Sequence, residues 1–120
     1  MHFRSALTKA AVLAAAVSFG SSAALAYGVY DGPWTVTMMT TRGGCSAFTA
    51  FGVQILNGIV RARGGGFTLR GRVSRNGAVS ATAGSADQVA HAHGRLAMRS
   101  GGGNWVSPQK GCSGRWTATR

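Results

Sequence analysis

Acid is nearly missing from this chain: two aspartates, Asp31 and Asp87, and no glutamate stand against 13 lysines and arginines in 120 residues. Catalysis by paired carboxylates needs two such groups converging on one bond, and these two fall in separate turn-like segments. Cysteine is equally scarce, with Cys45 and Cys112 as the only pair. A long apolar run occurs only near the start, so the rest offers no membrane-spanning helix. No nucleophile elbow is present, and neither glycine run ends in the Gly-Lys-Ser/Thr of a phosphate loop. Without a convergent acid, base and nucleophile, the expectation is a protein that is not an enzyme and needs no cofactor.

What is present begins with a leader. Arg4 and Lys9 precede an apolar run from Ala10 to Phe19, and Ala24-Leu25-Ala26 follows as a small-residue cleavage pattern. Residues Met1 to Ala26 are therefore read as a signal peptide, too short in its apolar part to anchor the chain. The mature protein is expected to start at Tyr27 and to act in the periplasm or outside the cell, as one domain over residues 27–120. In that oxidising setting the two cysteines are read as one disulfide, Cys45–Cys112, rather than as catalytic thiols. In the chain-entropy view a loop of that length stabilises the fold by roughly 4 kcal/mol.

Arg4 and Lys9 leave with the leader, so the mature chain has 11 basic residues against two acids, a net charge of +9, and ten of the 11 are arginine. Such a surface attracts polyanions such as lipopolysaccharide, anionic lipid or nucleic acid, and also keeps a small exported protein soluble.

Short apolar alternations recur between Gly, Asn and Ser clusters, the pattern of an all-β domain. About eight strands are expected. The first runs from Trp34 to Thr41 with Trp34, Val36 and Met38 on one face. The second, from Thr49 to Leu56, turns at Asn57-Gly58, a type I′ signal, into Ile59–Arg63. Phe67 to Val73 follows. If Arg75-Asn76-Gly77 is a three-residue loop with Gly77 as a left-handed bulge, Val73 faces Val79 and Gly71 faces Ala81, which keeps apolar partners together. The sixth strand is expected from Gln88 to Met98 with Met98 inward, Gly101-Gly102-Gly103 as a turn, Asn104 to Ser107 as a short seventh strand, and Ser113 to Thr119 as the last. With an even number of strands, first and last are antiparallel. Cys45 after the one and Cys112 before the other would lock the seam of a closed or nearly closed up-and-down barrel, preceded by a signal-peptide helix. A two-sheet sandwich is the alternative.

Gly-x-Trp occurs at Gly32-Pro33-Trp34, Gly103-Asn104-Trp105 and Gly114-Arg115-Trp116. Trp34, Trp105 and Trp116 read either as core plugs or as the lining of a pocket for a small apolar ligand. A Gly-x-Trp at the first strand and an arginine near the end of the last resemble the meander barrels of the lipocalin and avidin type, where such a pair closes one end. From Asp31 to Arg120 the chain also resembles a group of small exported bacterial proteins of unassigned activity. Like them it has a tryptophan in the first strand, a cysteine after it, and an ending like Cys112-Ser-Gly-Arg-Trp-Thr-Ala-Thr-Arg120. The first resemblance implies a barrel closed at one end; neither supplies a ligand.

Arg61, Arg70 and Arg72 project from one face of neighbouring strands and are the candidate contacts for an anionic polymer, the alternative being a solvated exterior. Nucleic acid ranks lower, because sequence-tolerant binders pair basic grooves with exposed aromatics and most aromatics here fall on inward positions. His91 and His93 share a strand face and are weak metal candidates, since a zinc site needs further ligands that the sequence does not place nearby. The function expected is binding, of an anionic envelope polymer or a small apolar ligand. The alternatives are a periplasmic inhibitor of a secreted hydrolase, inserting an arm from Tyr27 to Pro33, or a structural envelope component.

Overall fold

A computed structural model describes residues 28–86 and 88–120. The leader expected over Met1–Ala26, and Asp87, lie outside the described residues. Eight strands follow in order: β1 (Gly32–Arg42), β2 (Phe48–Leu56), β3 (Ile59–Ala62), β4 (Thr68–Val73), β5 (Ala78–Ser85), β6 (Gln88–Leu96), β7 (Ser100–Ser107) and β8 (Cys112–Thr119). Each pairs antiparallel with the next, and β1 pairs with β8 to close an up-and-down barrel. The sandwich alternative is thereby set aside.

Period-two alternation fixes which residues face the interior. On β8, Cys112, Gly114, Trp116 and Ala118 are buried while Arg115, Thr117 and Thr119 are exposed. The core gathers Trp34, Val53, Ile55, Val60, Val73, Leu96 and Trp116 from around the circumference. The exterior carries Arg, Thr, Ser and His on alternate positions.

Two turns set the register as their residues demand. Asn57 and Gly58 have φ of 53° and 77° and join β2 to β3 with Leu56 opposite Ile59, the type I′ geometry. Gly77, at φ 90°, forms the bulge of a three-residue loop in which the Ser74 amide donates to the Ala78 carbonyl at 2.9 Å. Val73 therefore faces Val79 and Gly71 faces Ala81.

The turn between β6 and β7 departs from expectation. Gly101-Gly102-Gly103 lies within β7, and the chain instead reverses around Met98-Arg99, with the Ala97 amide donating to the Ser100 carbonyl at 2.7 Å. Met98, expected inward, is 61 % exposed. The physical reason is the neighbouring tryptophans. Gly103 sits opposite Trp116 and Gly114 opposite Trp105, so the Gly-x-Trp motifs of β7 and β8 interlock, each glycine facing the other strand's indole. A Cβ at Gly103 would lie 1.9 Å from the His93 carbonyl oxygen, and one at Gly114 2.9 Å from the Trp105 Nε1. A barrel this narrow accommodates two indoles by giving up side chains opposite them.

The cysteines are bonded, with Cα atoms 6.2 Å apart. Cys45 lies in the 43–47 connection and Cys112 begins β8, so the bridge crosses the β1–β8 seam beside an irregularity of register between Thr40 and Arg42. Among the described residues, no helix is long and apolar enough to cross a membrane.

Candidate binding sites

At one end of the barrel the chain closes on itself. The Trp34 indole is buried, donates to the Tyr30 carbonyl at 2.9 Å and lies 4.6 Å from the Arg120 guanidinium, a cation–π distance. Arg120 also donates to the carbonyls of Met98, Asp31 and Val29 at 2.7, 2.9 and 3.0 Å. Asp31 in turn accepts from the Asn57 amide at 2.9 Å and from that of Gly58 at 3.4 Å. Residues 28–33 are thus fastened across the barrel end. Of the arm expected from Tyr27 to Pro33, Val29, Tyr30 and Asp31 are held by these contacts.

Behind this closure lies an apolar cavity of about 70 Å³, walled by Trp34, Trp116, Val53, Ile55, Leu69 and Leu96 among others. Benzene occupies an engineered cavity of roughly 150 Å³, about twice this volume. The indole N–H groups are also spoken for. Trp116 donates to the His93 carbonyl at 3.2 Å, and Trp105 is shared between the carbonyls of Met39 and Arg115 at 3.2 and 3.1 Å. All three tryptophans belong to the core; Trp34 and Trp116 line this cavity and Trp105 lines another.

Trp105 lies toward the opposite end, where a mixed polar and apolar cavity of about 200 Å³ opens. Met38, Trp105 and Phe67 give it apolar walls; Thr40, Thr49 and Gln88 give it polar ones. The Gln88 amide points at Cys45 Sγ, 3.8 Å away, which places the disulfide on the rim. Phe67 meets Phe51 edge-on, with ring centroids 5.1 Å apart.

On the outer wall, Arg61 of β3 sits directly opposite Arg70 of β4, with Arg72 beside them opposite Ile59. All three are exposed, and so is Arg63, which alternation places on the same face and which the sequence reading overlooked. Its signal was the Arg61-x-Arg63 spacing. Arg63 runs over β2, where a Cβ at Gly52 would lie 3.6 Å from its own. Like charges directly opposed cost a pair of strands a few tenths to about 1 kcal/mol. Asp31, the one carboxylate side chain among the described residues, is bound to the turn amides at the closed end instead. Beyond Arg70 and Arg72 the same face continues through Thr82 and Ser80 to His91 and His93.

His91 and His93 are exposed on β6, and His91 Nδ1 lies 3.4 Å from the Thr82 hydroxyl. Among the described residues, no group of three His, Cys, Asp or Glu side chains is placed to hold a metal ion. Compared with known proteins, the chain matches no family model and no curated protein.

Proposed function

We propose that this is an exported binding module, without catalysis, that holds an anionic polymer against the outer face of β3 and β4. The observation that carries this reading is the Arg61–Arg70 pair, flanked by Arg63 and Arg72 and opposed by no described carboxylate. A cross-strand arrangement of like charges is unfavourable by itself and becomes favourable when an anion bridges it. Envelope polymers fit better than nucleic acid, since Phe48 is the only exposed aromatic among the described residues and a single ring makes no stacking platform. The disulfide is compatible with an oxidising, exported setting. The Trp34–Arg120 stack supports the likeness to meander barrels of the lipocalin and avidin type, though without a ligand.

Retention on heparin or immobilised lipopolysaccharide tests the proposal. The parent should be retained progressively less as salt rises, and Arg61→Ser/Arg70→Ser/Arg72→Ser should elute at distinctly lower salt. Retention indifferent to salt, or equal for parent and variant, would reject it.

The cavity at the disulfide end favours a second reading, a small ligand with one apolar and one polar side. Native mass spectrometry of protein taken from its own compartment would show that ligand as added mass, and a bare polypeptide mass would count against it.

A further inference from the structure

Of the five exposed large apolar side chains among the described residues, three sit at the closed end: Leu56 at 64 %, Met98 at 61 % and Val29 at 38 % exposure. They come from three separate segments that polar contacts bind into one platform. Arg120 donates to the carbonyls of Met98 and Val29, and Asp31 holds the Asn57-Gly58 turn next to Leu56. With their backbones tied, these tips cannot fold inward to hide.

Arginine surrounds them. Arg75 lies in the β4–β5 turn and Arg99 adjoins Met98. Arg95 at the end of β6 donates to the Asn76 carbonyl at 3.0 Å, and all three are exposed. The nearby carboxylate of Asp31 is already occupied by two turn amides. A soluble polyanion would use the arginines but gain nothing from the apolar tips. A second copy of the chain would bury the tips while bringing together two strongly cationic surfaces. An anionic lipid bilayer rewards both features, because apolar tips reach the acyl boundary while cations meet the headgroup phosphates.

We propose that the closed end docks on an anionic lipid surface, with Leu56, Met98 and Val29 entering the headgroup region and Arg75, Arg95 and Arg99 against the phosphates. The barrel lies on the membrane and does not span it. Its wall is apolar inside and polar outside, the inverse of a spanning barrel. This site uses residues other than the β3–β4 arginines and stands or falls separately from them.

Co-sedimentation of the exported protein with vesicles tests it, comparing pure phosphatidylcholine with phosphatidylcholine containing phosphatidylglycerol. Binding is expected on the anionic vesicles only. Leu56→Ser/Met98→Ser should weaken it about tenfold, leaving heparin retention and thermal unfolding unchanged because both side chains are exposed. Arg75→Ser/Arg99→Ser should weaken it and reduce its dependence on salt. Equal binding to neutral vesicles, or undiminished binding by the Leu56/Met98 variant, would overturn the proposal. So would a lipid-free dimer that the Leu56/Met98 variant dissociates, since the platform's occupant would then be another copy. If the Arg61/Arg70/Arg72 variant alone lost vesicle binding, this inference would fail while the polymer-binding reading survived.

Discussion

Connections 57–58, 74–77 and 97–99 draw one end of the barrel tight, while connections 43–47, 63–67 and 108–111 leave the other loose. The tight end is held by noncovalent means: an indole under a guanidinium, and a carboxylate on two turn amides. The loose end depends on a covalent bridge, and its wall is thin because β3 has only 4 residues and pairs β2 over Val53–Leu56 alone. The contrast shows how a small domain divides its means. Where turns are short and residues can converge, packing and hydrogen bonds close the structure; where loops must reach across a mouth, a disulfide limits the disorder of the unfolded chain instead.

The comparison can be tested by loosening each end in turn. Trp34→Ala should have the largest effect, about 3–5 kcal/mol in denaturant unfolding, because it empties the plug and leaves the Arg120 guanidinium without its ring. A loss below about 1 kcal/mol would mean that the closed end is not what holds the barrel shut. Cys45→Ser/Cys112→Ser should cost roughly 2–4 kcal/mol. Hydrogen exchange should then speed up around Cys112 and Gly114 while Asn57 and Gly58 keep their protection, and uniform loosening would show that the two ends are one cooperative unit. Smallest is a paired change. Asp31→Ala should cost about 1–2 kcal/mol through the exposed turn amides. Gly65→Ala, in a loop where an added Cβ meets nothing within 4 Å, should stay within about 0.5 kcal/mol.

Much of the wall was legible in the chain, because alternation of apolar and polar residues has one structural meaning when a single face is buried. Trp34, Val36 and Met38 were placed on one face on that basis; Trp34 is buried and the other two pack against the core. The Arg75-Asn76-Gly77 bulge was readable because the other turn would have exposed Val79. Glycine misled at Gly101-Gly102-Gly103, where a local turn preference lost to the Trp116 indole opposite Gly103 on β8 and to the close approach of the β6 backbone. The basic face was legible through Arg61, Arg70 and Arg72. Its pairing was not, since which arginine opposes which depends on the Asn57-Gly58 turn and on the register it imposes. The platform at the closed end escaped altogether: Leu56, Met98 and Val29 are distant in sequence, and hydrophobicity alone assigned Met98 to the core.

The sequence by itself determined the class of fold, the inward and outward residues of most strands, the cysteine pairing and the cationic surface. These follow from periodicity, turn chemistry and composition, which are local or additive. Only the tertiary structure decided that the three tryptophans are buried, that the two barrel ends differ, and that apolar tips meet arginines at one of them. Those outcomes depend on the volume available inside a closed eight-stranded wall and on contacts between residues far apart in the chain, such as Arg120 with Val29.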